Sequence, residues 1–288
     1  MRRSKVSTGR RKFHRCCTFV LRIFAVMILA TSLQAADETT NKASAPSASM
    51  YRSIAGRDLR IFHFPPADSP GTARPAVLLV QGGAWTRGSP EQLYRSARYF
   101  SEAGFVATVL EYRLADVTNS PVESFSDVCH ALAYMRTNAD TLGLAPSRIA
   151  LWGISSSGQL TAATATVGCD SADGSSGNGG PDALLLVSPV VDALSDGLFR
   201  DLMKGHGKPS AFSPTHTLKK RIVPTFIMQG NADRTTPIER SKVFCDRARN
   251  LGGKCELVAL DGQGHVLDRV VRDEVLARQA AFLRDLWH

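Results

Sequence analysis

The sequence lacks a run of about 20 apolar residues, the length a membrane-spanning helix needs. The apolar stretch near its start covers only Ile23–Ala30 and is bounded by Arg22. It also lacks a C-x-x-C pair and any Cys/His spacing of a zinc ligand set, so no metal site is predicted. Tryptophan is scarce: Trp85, Trp152 and Trp287 are the three, and none is an obvious sugar-stacking residue. There is no internal repeat. An excess of charge is missing too, once its location is considered. The 288 residues carry 35 Lys+Arg against 26 Asp+Glu, a formal +9. Eight of those cations lie in residues 1–36, which contain no acid, and from residue 37 onward 27 basic face 26 acidic residues. That near-neutral remainder excludes a basic groove and a nucleic-acid partner.

What is present at the N-terminus is a basic segment, the apolar run, and the small residues Ala35 and Ala36 ahead of Asp37. This order predicts a signal peptide over 1–36, cleaved near Ala35/Ala36, and a secreted or periplasmic protein without a stable membrane span in its mature form. Arg10-Arg11-Lys12-Phe13 resembles a twin-arginine motif, but a generic basic region explains it as well. Residues 37–50, rich in Thr, Ser, Ala and Asn, predict a flexible leader ahead of a domain over 51–288. Cys16 and Cys17 leave with the signal. Cys129, Cys169, Cys245 and Cys255 remain, and export permits disulfides among them in three connectivities, with buried free thiols the alternative.

The domain alternates apolar runs with helical periodicity. Ala76–Val80, Phe105–Leu110, Arg148–Trp152, Asp182–Val187, Ile222–Met228 and Cys255–Leu260 read as core strands. Between them, helices are predicted at about 91–103, from Pro121 through Met135, at 160–167, 238–251 and 267–286. Strands alternating with helices imply βαβ units, a mostly parallel sheet and helices on both faces. Ser171–Pro181 is a Gly/Ser/Asn-rich insertion, and Ser188–Thr217 lacks periodicity and is expected to form a short roof over a site.

Four loops at strand ends carry chemistry-bearing residues. Trp152-Gly153-Ile154-Ser155-Ser156-Ser157-Gly158 runs from a strand through a serine among small residues into a helix, the context of a nucleophile elbow. The usual G-x-S-x-G has Ser157 in its last position here. Gln81-Gly82-Gly83-Ala84-Trp85 follows the strand ending at Val80 and supplies backbone donors for a developing oxyanion. The amides of Gly83, Ala84 and Ser156 are the candidates for that hole, and Gly82 and Trp85 are the candidate substrate contacts. Asp233, in Gly230-Asn231-Ala232-Asp233, is the candidate acid. His265, in Gly262-Gln263-Gly264-His265, is the candidate base, because no other histidine follows a core strand downstream of an acid. Each motif alone has a bland reading as a turn. Their order Ser, Asp, His is what raises them above it.

With Glu111-Tyr112-Arg113-Leu114-Ala115 and Gly88-Ser89-Pro90, these motifs give about residues 50–288 a resemblance to the hormone-sensitive-lipase-like and acetylxylan/feruloyl esterase-like group of α/β-hydrolases. The resemblance implies the α/β-hydrolase fold, a serine esterase for small acyl esters, and a supporting role for Tyr112 and Arg113 beneath the oxyanion loop. It implies a small-molecule or polysaccharide-linked ester as substrate. Gln81 and Ala84 stand where that group commonly has His and Gly. The chemistry needs no cofactor and no metal: Ser155 attacks the carbonyl with His265 as base, and water releases the acyl group. Amide hydrolysis by the same fold and a binding protein without catalysis are the alternatives, and the oligomeric state is left open.

Overall fold

In the computed structural model, residues 45–67, 73–169, 179–267 and 269–288 are described. The predicted signal over 1–36, residues 37–44 of the predicted leader and residues 171–178 of the insertion lie outside them. The strands are β1 (Ser47–Ile54), β2 (Arg57–Phe64), β3 (Arg74–Val80), β4 (Val106–Leu110), β5 (Leu144–Ile154), β6 (Ala183–Val187), β7 (Thr225–Gly230) and β8 (Cys255–Leu260). They form one sheet in the order β1-β2-β4-β3-β5-β6-β7-β8. β1 and β2 pair antiparallel, as do β2 and β4, and every later pair is parallel.

The continuous apolar strands are buried on both faces, which is why they show no polar alternation. In β3, Ala76, Leu78 and Val80 face one core while Val77 and Leu79 face the other. The helices are α1 (Tyr94–Glu102), α2 (Pro121–Thr137), α3 (Ala139–Leu142), α4 (Ser156–Thr166), α5 (Gly197–Leu202), α6 (Pro214–Thr217), α7 (Ile238–Asn250) and α8 (Arg269–Trp287). Phe125 and Val128 of α2, Leu160 of α4 and Phe244 of α7 fill the first core. Phe100 of α1 and Val275, Phe282 and Leu283 of α8 fill the second. α2 starts where the sequence signals it: Ser120 and Glu123 form a reciprocal capping box and Pro121 takes the first turn.

Three expectations change. The predicted leader ends too late, because Ser47–Met50 already belong to β1 and pair with Arg60–His63 of β2. Serine and alanine have little strand propensity, so ladder hydrogen bonds rather than composition make this edge strand. Strand β7 begins at Thr225, not at Ile222, after Pro224, which has no amide to donate. Ser188–Thr217 folds into short helical turns that pack on the first core, with Phe199 against Trp85 and Phe212 against Phe125. The four cysteines form two bridges, Cys129–Cys169 and Cys245–Cys255, each with Cα atoms 5.3 Å apart.

Candidate active site

The loops after β3, β5, β7 and β8 leave the carboxyl edge of the sheet, the edge where open α/β sheets place their ligands. Strand β5 runs into Ser155, whose backbone sits at φ 57° and ψ −123°, outside the regions an L-residue normally occupies. The turn is tight enough to require small neighbours. A Cβ on Gly153 would meet the Ser157 carbonyl oxygen at 2.8 Å, and one on Gly82 would meet that of Ile154 at 2.7 Å. Ser157, the departure from G-x-S-x-G, is fully buried. Its hydroxyl lies 2.7 Å from the Val80 carbonyl, 2.9 Å from that of Ile154 and 2.8 Å from the Ile154 amide. The extra side chain thus ties the end of β3 to the elbow instead of obstructing it.

Ser155, His265 and Asp233 come together in one hydrogen-bonded line, although 110 and 32 residues separate the partners. Ser155 Oγ lies 2.9 Å from His265 Nε2, and His265 Nδ1 lies 2.9 Å from Asp233 Oδ2. The Asp233 side chain is fully buried while that of His265 remains 22% exposed. Asp233 Oδ1 accepts the amides of Thr235 and Thr236 at 2.8 and 2.9 Å, and Oδ2 accepts the Thr236 hydroxyl at 2.7 Å. Burial opposes ionisation of this carboxyl. The Thr236 amide, the imidazole and the Thr236 hydroxyl outweigh it and hold the carboxyl below its ordinary value.

Thr236 was not singled out from the sequence. Its hydroxyl also lies 3.2 Å from His265 Nδ1 and 3.1 Å from the Ser188 carbonyl, and its own carbonyl accepts from Gln229 Nε2. The available signal was its place three residues after an aspartate in a turn, where an Asx arrangement folds the chain back on the carboxylate.

The loop after β3 turns through three left-handed residues, Gly83, Ala84 and Trp85, with φ of 128°, 54° and 62°. The Gly83 carbonyl closes the turn by accepting the Thr86 and Arg87 amides at 3.2 and 3.1 Å. The amides of Gly83, Ala84 and Ser156 have no backbone acceptor among the described residues. Tyr112 donates to the Gln81 carbonyl at 2.8 Å, and burial pushes its hydroxyl far above its ordinary range, so it stays a donor. Arg113 supports the loop less directly, by pairing with Asp127 of α2 at 2.8 Å, while the Ala115 amide donates to the Trp85 carbonyl. Gln81 itself is 2% exposed, and its Oε1 has no hydrogen-bond partner among the described residues.

Ser155 and His265 open into a cavity of about 750 Å³, within the range of small-molecule sites. Gly82, Gly83 and Ala84 line it, as do Leu93 ahead of α1 and Val275 and Leu276 of α8. Two expectations fail here. Trp85 does not reach the cavity as a substrate contact. Its left-handed backbone turns the ring inward, where it is 2% exposed, packs on Phe199 and donates to Gln159 Oε1 at 2.9 Å. The segment Ser188–Thr217 contributes no residue to this cavity, whose walls come from α8 and the start of α1 instead. Among the described residues, no group of three His, Cys, Asp or Glu is arranged to hold a metal ion.

Comparison with known proteins places these features in company. The BD-FAE family model matches residues 63–196, a stretch that contains Gln81–Trp85 and Ser155 and stops short of Asp233 and His265. Isoprenylcysteine alpha-carbonyl methylesterase of Arabidopsis thaliana is 26% identical over 219 residues, 67% of this chain and 50% of that protein. Esterase LipC of Mycobacterium tuberculosis is 26% identical over 226 residues, 70% of this chain and 55% of that protein. The chain therefore spans about half the length of these curated relatives. Among solved structures, the propionate-bound thermophilic esterase Est2 of Thermogutta terrifontis superposes with a TM-score of 0.78 at 27% identity. That match covers 86% of this chain and 97% of Est2. The same esterase phosphonylated by sarin gives 0.77 at 26% identity, covering 84% and 95%.

Proposed function

The chain is a member of the α/β-hydrolase superfamily, and on that premise we propose that it is a carboxylic ester hydrolase using Ser155 as nucleophile, His265 as base and Asp233 as the acid that orients it. The observation that carries this reading is the continuous line Ser155–His265–Asp233 at the floor of an open cavity. A surface serine turn without catalysis has no reason to hold a strained backbone, a bonded imidazole and a buried carboxylate together.

In the reaction, Ser155 Oγ attacks the ester carbonyl and its proton passes to His265 Nε2. The developing oxyanion is met by the amides of Gly83, Ala84 and Ser156, held by the turn and by the start of α4. His265 returns the proton to the leaving alcohol. Water then repeats the attack on the acyl-enzyme and frees the acid. Asp233 stays ionised and keeps the Nδ1 proton in place throughout.

Short acyl groups fit best. The structural neighbours at 26–27% identity include Est2 with propionate or butyrate bound. Acetyl groups on plant polysaccharide are the polymer-linked form of this substrate class, and feruloyl esters are a larger aromatic alternative on the same polymer. Export is part of the proposal: the basic and apolar order of residues 1–36 and cleavage near Ala35/Ala36 agree with two disulfides, which persist in an oxidising compartment.

The test is hydrolysis of 4-nitrophenyl acetate, acetylated xylan and a feruloyl ester by the native chain and by Ser155→Ala. The variant should lose about 10⁴-fold or more in kcat on every ester the native chain cleaves. Undiminished hydrolysis by Ser155→Ala overturns the assignment. Cleavage of matched amides in preference to esters overturns the substrate class alone.

A further inference from the structure

Two exposed arginines and no Asp or Glu are among the described residues that line the cavity above Ser155. They come from different elements, Arg87 from the end of the loop after β3 and Arg272 from the first turn of α8. Arg87 is held in place by the turn, since its amide donates to the Gly83 carbonyl at 3.1 Å. Its side-chain Cγ lies against Gly83, 3.3 Å from where a Cβ would stand.

Neither arginine has an ion-pair or hydrogen-bond partner among the described residues. The described acids nearest in sequence to Arg272 are already engaged: Asp273 pairs with Arg95 of α1 at 2.8 Å, and Glu274 pairs with Arg278 at 2.7 Å. Apart from His265, the rest of the lining carries no ionisable side chain. Leu93, Leu267, Val275 and Leu276 give it an apolar wall, and Gln92 and Ser96 add uncharged polar groups.

Two cations in a concave wall, with no paired acid among the described residues, focus a positive potential over Ser155. Each presents the planar fork that binds a carboxylate with two parallel hydrogen bonds. A neutral ester makes no use of either group. We infer that the site takes an ester carrying a carboxylate, with Arg272 and Arg87 holding the anionic end while Ser155 attacks the ester carbonyl. This rests on the esterase reading above and narrows it from small esters to acidic ones.

The experiment uses the full chain and a substrate pair that differs in charge, 4-acetoxybenzoate and its methyl ester. Both carry the same acetyl group on the same ring. Arg272→Gln should lower kcat/KM for the carboxylate about fivefold more than for the methyl ester, the size of a partly exposed ion pair. Arg87→Gln should do the same, and 0.5 M salt should erode the native preference by screening. An equal fall on both esters, or no change on either, overturns the inference and leaves the esterase reading standing. Failure of Ser155-dependent hydrolysis on both esters instead removes the esterase reading, and this inference with it.

Discussion

Thr236 shows how much of the site depends on a residue with no chemistry of its own. Its amide and hydroxyl both serve Asp233, and its hydroxyl sits within 3.2 Å of the imidazole. Asp233 has a folded-state pKa below the ordinary value of 3.8, so its ionised form adds stability in full above that value. That stability is lost as pH falls through the lower folded value. Thr236→Val removes the hydroxyl and moves the folded value back toward the ordinary one. The acid-unfolding midpoint, followed by tryptophan fluorescence, should shift to higher pH. The kcat should fall roughly tenfold, a loss of the kind seen when an outer hydrogen-bond partner is removed. An unmoved midpoint and an unchanged kcat would leave Thr236 as a bystander. At this scale the sequence was readable where geometry forces residue type. The small residues around Ser155 are small because backbone oxygens stand where side chains would go. It was unreadable where direction decides. Nothing in Gln81–Trp85 says that a left-handed backbone sends the Trp85 ring inward, away from the cavity. Ser157 likewise reads as a departure until its hydroxyl is seen bonding to Val80 and Ile154.

The elements were legible in proportion to their burial. Strands β3, β4 and β6 are continuous apolar runs because both faces are covered, and the sequence marks them plainly. Strand β1 is half exposed and written in Ser, Arg and Met, so only its pairing with β2 makes it a strand. The disulfides were open for a different reason, since pairing depends on which elements become neighbours. Cys129 joins α2 to the segment after α4 across 40 residues, and Cys245 joins α7 to β8 across 10. The chain-entropy model assigns these loops about 4 and about 2.7 kcal/mol. Replacing Cys129 and Cys169 together by serine should therefore lower Tm by roughly 10 °C, and replacing Cys245 and Cys255 by somewhat less. Calorimetry of both pairs with and without reductant checks this. Melting that is insensitive to reductant would show that the bridges contribute nothing.

Across the whole molecule, the sheet is the device that makes a site from distant residues. The Gln81–Trp85 loop, the Ser155 turn, the Asp233 turn and the His265 loop follow β3, β5, β7 and β8; β3 and β5 are neighbours in the sheet, as are β7 and β8, with β6 between the two pairs. Chain order alone suggested this meeting, because parallel strands return every loop to the same edge. The walls of the cavity were not legible, since they come from α8 and the start of α1 and not from the aperiodic segment between β6 and β7. The near-balance of charge after residue 36 likewise conceals a lining around Arg87 and Arg272 that holds no acid among the described residues. All of it turns on Ser155 acting as a nucleophile. The most direct measurement is mass spectrometry of the chain after reaction with a fluorophosphonate probe. The expected result is a single covalent adduct on Ser155, formed much more slowly in His265→Ala and absent in Ser155→Ala. An unlabelled Ser155 in an esterolytically active preparation, or an adduct on another serine, would contradict it.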